Sequence, residues 1–423
     1  MAKLIKIKGT ATATANDSLI ADSNSKIPAV DASLITTLSG GNIASGTIPT
    51  ARLDIGTTAN KLVQLDGSGK LPAIDGSQLT GIVAATKSSS NPTISTNPSG
   101  GVGTEWHNTS TGQMYICTDA TAGANKWINT GVGTDDIKPI FYQGESYGYT
   151  CGSGSNIIDR FSLTSQANAT DVGDLVASRS ASAPGKSKTH GFSMGGDQAG
   201  PENGAIDKYA FAASANATDH GDLTLVGYGL AGASSTTHIY AAGGAQDGAA
   251  GRTNVIDKCA TSSNSNSTDV GDLTNSIWYL GGNSSDTHGY CTGGYPTNNV
   301  IQKWSFSVDG NATDVGDLVT SRRNVFHGNN SETYGYSAGG YPSNNEIEKW
   351  AFASDGNATD VGNLIAGGYY GGGVSAVSYG YFVGGSGSAN VIQRHSYSSD
   401  GDATDWADLT YSAGSSGPAA TQD

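Results

Sequence analysis

One eight-residue phrase recurs along most of this chain and constrains its fold more than any other feature. It reads NATDVGDL at 168 and 311, NATDHGDL at 216, NSTDVGDL at 266, NATDVGNL at 357 and DATDWADL at 402. Six copies are typical of a repeat architecture, in which each unit is one supersecondary element that packs on the next. These residues are therefore interpreted first as scaffold.

A longer unit surrounds each copy of the phrase. It has an aromatic or His, usually a Gly, a second aromatic, a Gly-Gly pair in five copies of six, and then an Ile two residues before Lys or Arg. Successive copies of this Ile are 48, 50, 45, 46 and 45 residues apart. This is the length of a four-stranded propeller blade, so the sequence predicts a six-bladed β-propeller at residues 136–412.

The spacing inside the unit separates a constant part from a variable part. The Lys or Arg precedes the Asp of each TD by 11 residues in all six copies. We interpret this segment as a tight hairpin between two strands, and the charge pairing as a cross-strand ion pair. The gap between Gly-Gly and Ile varies from 7 to 12 residues, which favours an exposed loop. Because the last repeat ends near Leu409 and the first begins near Ile137, we expect little strand exchange between the ends.

Composition narrows the class of protein. The chain has 61 Gly among 423 residues, 14% charged residues and a net charge of −15, which favours an all-β protein with many turns and argues against nucleic-acid binding. The four Cys lack metal-ligand spacing. We expect no cofactor, no metal site and no membrane insertion. MAKLIKIKGT at the start lacks an apolar run, which predicts synthesis and assembly in a cytoplasm.

Residues 1–85 differ in composition from the repeats. KIPAVDASLIT at 26 returns as KLPAIDGSQLT at 70, and the apolar clusters there are too small for a core of their own. Copies of the chain can supply the missing core, so we predict an extended fibrous β region that assembles a homotrimer. The alternative is a disordered linker. Residues 86–135 are predicted as a linker and small β-module whose Trp106 and Trp127 cover one face, and residues 413–423 as a C-terminal tail.

The repeats resemble those of Kelch-type propellers. Residues 137–410 have the Gly-Gly after an aromatic-bearing strand, a second aromatic strand, and DWADL at 405 in the manner of the family's Trp-x-x-Leu ending. Five copies replace that Trp, so the set is divergent. The segment YGYSAGGYPSNNEIEKWAFASDGNATDVGNL is similar to repeats in structural proteins of marine tailed phages, especially those that infect cyanobacteria. TSTGQMYICTDATAGANKW and KLVQLDGSGKLPAIDGSQLTGI resemble tail-fibre segments.

This resemblance implies a structural protein of a virion, and three functions stay open. The first is a tail fibre that contacts a host surface saccharide or protein, the second a head or tail decoration protein, and the third a polysaccharide depolymerase. We do not expect an enzyme, because no Ser/His/Asp or paired-carboxylate arrangement stands out from the repeats. The Asp/Asn-rich turns could hold Ca²⁺, but capping of the hairpin backbone explains them more simply.

Differences between repeats indicate where a ligand would bind. Five residues after each closing Leu the chain has Ser180, Tyr228, Trp278, Arg323 and Tyr369, in what Kelch blades make the innermost strand. Such a varied position either plugs a tapering channel or presents stacking surfaces and a charge to a glycan. The Gly-Gly loops at 197–205 and 245–255 differ in length, and the short ones carry Tyr295 and Tyr341. The predicted receptor contacts are Tyr228, Trp278, Tyr295, Arg323, Tyr341 and Tyr369.

Overall fold

The computed structural model describes residues 85–130, 141–197, 204–246, 251–323, 327–342, 344–387, 389–414 and 417–423. All of the regular secondary structure in these ranges is β. Within the same ranges, no helix is long and apolar enough to cross a membrane. The predicted trimeric shaft lies outside the described residues, except for Ala85.

The small module is a four-stranded sheet. Its strands are β1 (Thr86–Ser88), β2 (Glu105–Asn108), β3 (Met114–Asp119) and β4 (Lys126–Asn129). β1 pairs with β2 in parallel, and the other pairs are antiparallel. Trp106 and Trp127 meet edge to face with their ring centroids 5.9 Å apart. Trp106 packs with Trp127, Tyr115 and Cys117, so the two indoles lie on the same face of the sheet, as predicted.

Each repeat corresponds to one antiparallel sheet of four strands, and we name the six sheets A to F. Sheet A contains, in spatial order, β30 (Pro418–Gln422), β5 (Tyr147–Gly152), β6 (Ser155–Ser162) and β7 (Thr170–Arg179). Sheet B contains β8 (Ala183–Lys186), β9 (His190–Met194), β10 (Ala205–Ala210) and β11 (Thr218–Asp222). Sheet C contains β12 (Ala231–Ser234), β13 (His238–Ala242), β16 (Val255–Ala260) and β17 (Thr268–Asp272).

The remaining three sheets follow the same order along the chain. Sheet D contains β18 (Gly281–Ser284), β19 (His288–Thr292), β20 (Asn298–Ser305) and β21 (Thr313–Arg322). Sheet E contains β22 (Asn329–Asn330), β23 (Tyr334–Ala338), β24 (Glu346–Ala351) and β25 (Thr359–Asn363). Sheet F contains β26 (Gly372–Ser375), β27 (Tyr379–Val383), β28 (Val391–Ser396) and β29 (Thr404–Asp408). A two-stranded ribbon, β14 (Ala245–Gln246) and β15 (Gly251–Arg252), lies in the longest Gly-Gly loop.

Strand exchange occurs in sheet A, and the expectation of little exchange is wrong. β30 comes from the segment predicted as a tail and pairs antiparallel with β5, with Pro418 opposite Gly152 and Gln422 opposite Gly148. This strand could not be predicted, because PAATQ contains neither the aromatic residues nor the Gly-Gly pair that identify the other strands. Its partners supply the hydrogen bonds and packing that the segment's own β-propensity does not specify.

The aromatic-Gly-aromatic motif makes room for a ring on the next strand. In sheet D, Gly289 lies opposite Trp304, and a Cβ at Gly289 would be 2.4 Å from the indole. Sheet C has the opposite arrangement, because Ile239 lies opposite the small Cys259. Both Ile239 and Cys259 are fully buried. The exchanges at these two positions compensate each other in volume, as close packing requires.

Apolar clusters join the sheets in pairs. Phe192, Met194 and Ile206 of sheet B pack with Ile239 and Cys259 of sheet C. Similar clusters join A with B, C with D, D with E, and E with F. Another joins F with A, through contacts that include Val374 and Tyr381 with Phe161. Four consecutive residues of β13 are buried, so both faces of this strand are covered.

The recurring NATDVGDL phrase lies at the outer hairpins, by which we mean the turns between the third and fourth strands of sheets A to F. The first residue of each copy, Asn in five and Asp402 in the sixth, accepts a hydrogen bond from the preceding sheet, as Asn311 Oδ1 does from the Asp272 amide at 3.1 Å. Six such contacts join the sheets, and the one from Asp408 to Asn168 joins F to A at 3.2 Å. The TD aspartates cap their own chain, as predicted: Asp269 accepts from the Gly271 amide.

The predicted cross-strand ion pair within each hairpin is wrong. Lys258 Nζ lies 2.7 Å from Asp309, and Lys349 lies 2.7 Å from Asp400. Both aspartates belong to the outer hairpin of the following sheet, and Lys303 pairs with Asp355 in the same way. The constant spacing of 11 residues therefore places the basic residue toward the next repeat, where it adds a contact between sheets.

A second set of contacts between sheets involves the residue after the Ile of each unit. This residue is Asp159, Asp207, Asp257, Gln302, Glu348 or Gln393, and each accepts a hydrogen bond from the amide that follows the closing Leu of the preceding sheet. Two of them also carry buried ion pairs, Asp207 with Arg179 and Glu348 with Arg322, both at 2.9 Å. Thr410 of the last repeat reaches Asp159 in sheet A by the same contact.

The first strands approach each other closely, and glycine permits this. A Cβ at Gly232 of β12 would lie 2.1 Å from the Pro184 carbonyl oxygen of β8, and one at Gly282 would lie 2.3 Å from the Gly232 oxygen. Polar side chains bridge the same strands: Ser234 Oγ accepts from the Lys186 amide, and Ser284 Oγ accepts from the Ser234 amide, both at 2.9 Å. These contacts hold the first strands of sheets B, C and D close together.

Candidate functional site

Tyr228, Trp278, Arg323 and Tyr369 lie before the first strands of their sheets, and not within an innermost strand as the sequence suggested. Tyr295 and Tyr341 follow the second strands, β19 and β23. Trp278 forms an isolated antiparallel bridge with Tyr295, and Arg323 forms one with Tyr341. Each bridge joins the varied position after the closing Leu to the residue directly after Gly-Gly. The two groups of residues that the sequence singled out separately are therefore backbone neighbours.

Their side chains form one continuous surface. The Arg323 guanidinium lies 4.8 Å from the Tyr295 ring centroid and 4.6 Å from that of Tyr341. Tyr341 meets Tyr369 edge to face at 5.7 Å. On the other side, Trp278 meets Tyr295 at 6.0 Å and Tyr228 at 5.2 Å. The structure thus brings together all six predicted contacts.

Two further tyrosines, which the sequence interpretation missed, complete this surface. Tyr279 stacks on Trp278 with a centroid distance of 4.2 Å, and Tyr370 contacts both Tyr279 at 4.9 Å and Tyr369 at 5.2 Å. We call the eight residues the aromatic face: Tyr228, Trp278, Tyr279, Tyr295, Arg323, Tyr341, Tyr369 and Tyr370. The pairs WY at 278 and YY at 369 were visible in the sequence, but only their first members were selected.

The backbone at Tyr279 and Tyr370 is strained. Their φ angles are +55° and +62°, and the equivalent residues before β12 and β30 are Gly229 and Gly417, with φ of +66° and +57°. A bulky residue in this left-handed region costs on the order of 1–2 kcal/mol, and such strain clusters at functional sites. Aromatic side chains are thus held at a position where two other copies have glycine.

The two explanations offered for this face, a plug and a ligand surface, apply to different residues. Tyr279 and Tyr370 line a cavity of about 20 Å³ together with Leu230, Leu280 and His327, so they fill the space above the first strands. Burial raises the pKa of both phenols and lowers the pKa of His327 to about 4. Tyr295 and Tyr341, in contrast, are 36% and 43% exposed. The half-buried pair, Tyr279 and Tyr370, fills space, and the exposed pair, Tyr295 and Tyr341, is available to a ligand.

Charge on the aromatic face is basic and is not balanced within it. Arg252 from β15, which the sequence did not predict as a contact, lies 5.7 Å from the Tyr295 ring centroid. Arg323 contacts the same ring. Among the described residues, neither arginine has a carboxylate within ion-pair distance. Arg252 could not be placed from the sequence, because its position depends on the ribbon of β14 and β15.

The arrangement is suited to binding and offers little for chemistry. In the part of the chain that the structure describes, no group of three His, Cys, Asp or Glu side chains is placed to hold a metal ion. The aromatic face itself contains no carboxylate, histidine or thiol. No protein-family model matches this chain, and no curated protein matches it.

Proposed function

We propose that sheets A to F form a closed, six-bladed propeller of the Kelch-like type. Support comes from the recurrence of the same contacts at every junction. The Asp408 amide donates to Asn168, and Thr410 to Asp159, as their equivalents do elsewhere in the chain. β30 then joins the last repeat to the first by strand exchange. A closed ring removes most exposed strand edges, which limits aggregation.

We further propose that the chain is a structural protein of a phage virion, a tail fibre whose propeller binds the host surface through the aromatic face. The observation that supports this function is the contrast between the outer hairpins, where the repeats agree, and the aromatic face, where they differ. Equivalent positions at the outer hairpins have nearly the same residues in every repeat, whereas the aromatic face collects Trp, Tyr and Arg where the repeats differ. Exposed Tyr rings beside Arg suit saccharides and protein hot spots.

The test is host adsorption by virions that carry Tyr295→Ala and Tyr341→Ala together. Because both rings are exposed and flank Arg323, we expect adsorption to fall at least tenfold while the unfolding temperature changes little. Tyr334→Ala is the matched control, since Tyr334 is also 36% exposed but stacks on Lys349 away from the aromatic face. Unchanged adsorption by a folded double variant would favour the decoration-protein function instead.

Assembly forms a separate part of this proposal. Residues 1–85 would join the chain into a homotrimer and attach it to other virion proteins, on the basis of their small apolar clusters and tail-fibre resemblance. Light scattering of the full chain and of residues 137–423 tests this. We expect the full chain to be a trimer and residues 137–423 to be a monomer. The same number of chains per particle in both would show that assembly does not depend on the N-terminal region.

A further inference from the structure

Two arginines converge on one tyrosine at the exposed edge of the aromatic face. The Tyr295 ring lies 4.8 Å from the Arg323 guanidinium and 5.7 Å from that of Arg252, and Arg323 also lies 4.6 Å from Tyr341. Across the described residues, neither guanidinium has an acidic partner within 4 Å. At the outer hairpins, by comparison, Lys258, Lys303 and Lys349 each have an aspartate.

This concentration of unpaired positive charge is unusual for the chain around it. The protein has 22 basic and 37 acidic residues, so the average surface would repel an anion. A guanidinium held between two aromatic faces keeps its N–H donors at the edge of the plane, where they can meet a carboxylate or sulfate in bidentate geometry. Arg323 Nε is buried and has no hydrogen-bond partner among the described residues, so an anion would meet the terminal nitrogens of this guanidinium. The stacking also restrains the side chain before binding, which lowers the entropy lost with a ligand.

We infer that the aromatic face selects an acidic saccharide, in which Arg323 and Arg252 bind a carboxylate or sulfate while Tyr295 and Tyr341 contact the sugar rings. A saccharide fits better than a bare anion, because the two exposed rings on either side of Arg323 offer flat apolar surface next to the charge. This inference rests on the proposed function and names the class of receptor that the face would recognise.

The experiment measures binding of the full-length protein to matched pairs of oligosaccharides. One pair is oligogalacturonate and its methyl ester, and the other is a sulfated galactan oligosaccharide and its desulfated form. We expect at least one acidic member to bind at least tenfold more tightly than its neutral counterpart, and this preference to weaken with added salt. The pair that responds distinguishes carboxylate from sulfate.

Variants assign the preference to these arginines. Arg323→Gln, alone and with Arg252→Gln, should lower affinity for the acidic member about tenfold or more and leave the neutral member unchanged. Arg160→Gln is the matched control, because Arg160 stacks on Tyr147 at 4.7 Å outside the aromatic face. It should leave both affinities unchanged.

The outcomes separate this inference from the proposed function. If no acidic member binds, if both members of each pair bind equally, or if Arg323→Gln binds like wild type, the inference is wrong. Loss of adsorption in the Tyr295→Ala and Tyr341→Ala double variant would still support the proposed function in those cases. Unchanged adsorption in that variant would overturn the proposed function itself, whatever the saccharide affinities.

Discussion

The outer hairpins and the aromatic face use the same repeat in opposite ways. At the outer hairpins, equivalent residues make equivalent contacts, so that Asn168, Asn216 and Asn311 each accept an amide from the preceding sheet. On the aromatic face, the residues after the closing Leu have little in common, and Tyr279 is held in a strained backbone. The difference teaches that repetition in this chain marks scaffold contacts, whereas departures from repetition mark candidate function.

The largest change in the free energy of unfolding is expected at the buried ion pair of Asp207 and Arg179, which the equivalent Asp257 lacks. Asp207→Asn should destabilise the fold by about 3–5 kcal/mol, because it leaves the fully buried Arg179 without its charged partner. The equivalent Asp257→Asn is the control, since Asp257 accepts from the Thr224 amide and hydroxyl and has no ion pair with a basic side chain among the described residues. Chemical denaturation measures both. Equal losses would show that the ion pair contributes nothing specific to junction A–B.

The next effect concerns the compensated pair Ile239 and Cys259. Cys259→Trp should cost about 1–3 kcal/mol, because Ile239 fills the space that glycine leaves free in sheet D. In a double-mutant cycle with Ile239→Gly, we expect a favourable coupling energy of at least about 1 kcal/mol. Additive free energies of unfolding would contradict the explanation given for the aromatic-Gly-aromatic motif.

A smaller effect tests whether all junctions are equivalent. Asn311→Ala removes the hydrogen bond to the Asp272 amide and should cost about 1 kcal/mol. Asn168→Ala removes the equivalent bond between sheets F and A and should cost the same. Hydrogen exchange at the Asp272 and Asp408 amides should rise in the corresponding variant. A neutral Asn168→Ala beside a costly Asn311→Ala would argue against a closed ring.

A pH-dependent effect should appear at Asp257. Burial raises the pKa of its carboxyl, so the folded state holds the proton more tightly than the unfolded chain. The wild type should therefore lose stability as pH rises from the ordinary carboxyl value of about 4, whereas Asp257→Asn lacks this loss. Measured by urea denaturation from pH 4 to 7, the variant should gain stability relative to wild type as the pH rises. A relative gain toward lower pH would contradict this.

The smallest stability effect is expected on the aromatic face. Tyr295→Ala with Tyr341→Ala should change the free energy of unfolding by no more than about 0.5 kcal/mol per residue, because both rings are partly exposed. A thermal melt measures this. A loss of several kcal/mol would mean that these rings stabilise the scaffold, and the contrast between the two regions would fail.

Sequence patterns were sufficient for the sheet that forms within each repeat. The period, the constant 11-residue spacing and the turn residues predicted one four-stranded antiparallel sheet per repeat, and the structure has six such sheets. The varied positions predicted six contact residues that lie together. Local hydrogen bonding and side-chain volume act over a few residues, so they leave a regular pattern in the sequence.

Contacts between distant segments left no such pattern. Lys258 pairs with Asp309 of the next sheet, β30 pairs with β5 from the other end of the repeats, and Arg252 reaches Tyr295 only through the ribbon of β14 and β15. Each depends on how sheets pack side by side, which spacing within one unit does not encode. The sequence by itself therefore determined the repeating sheet and the positions that differ. Only the tertiary structure decided which charges meet and which rings form the aromatic face, because those distances arise from packing between sheets.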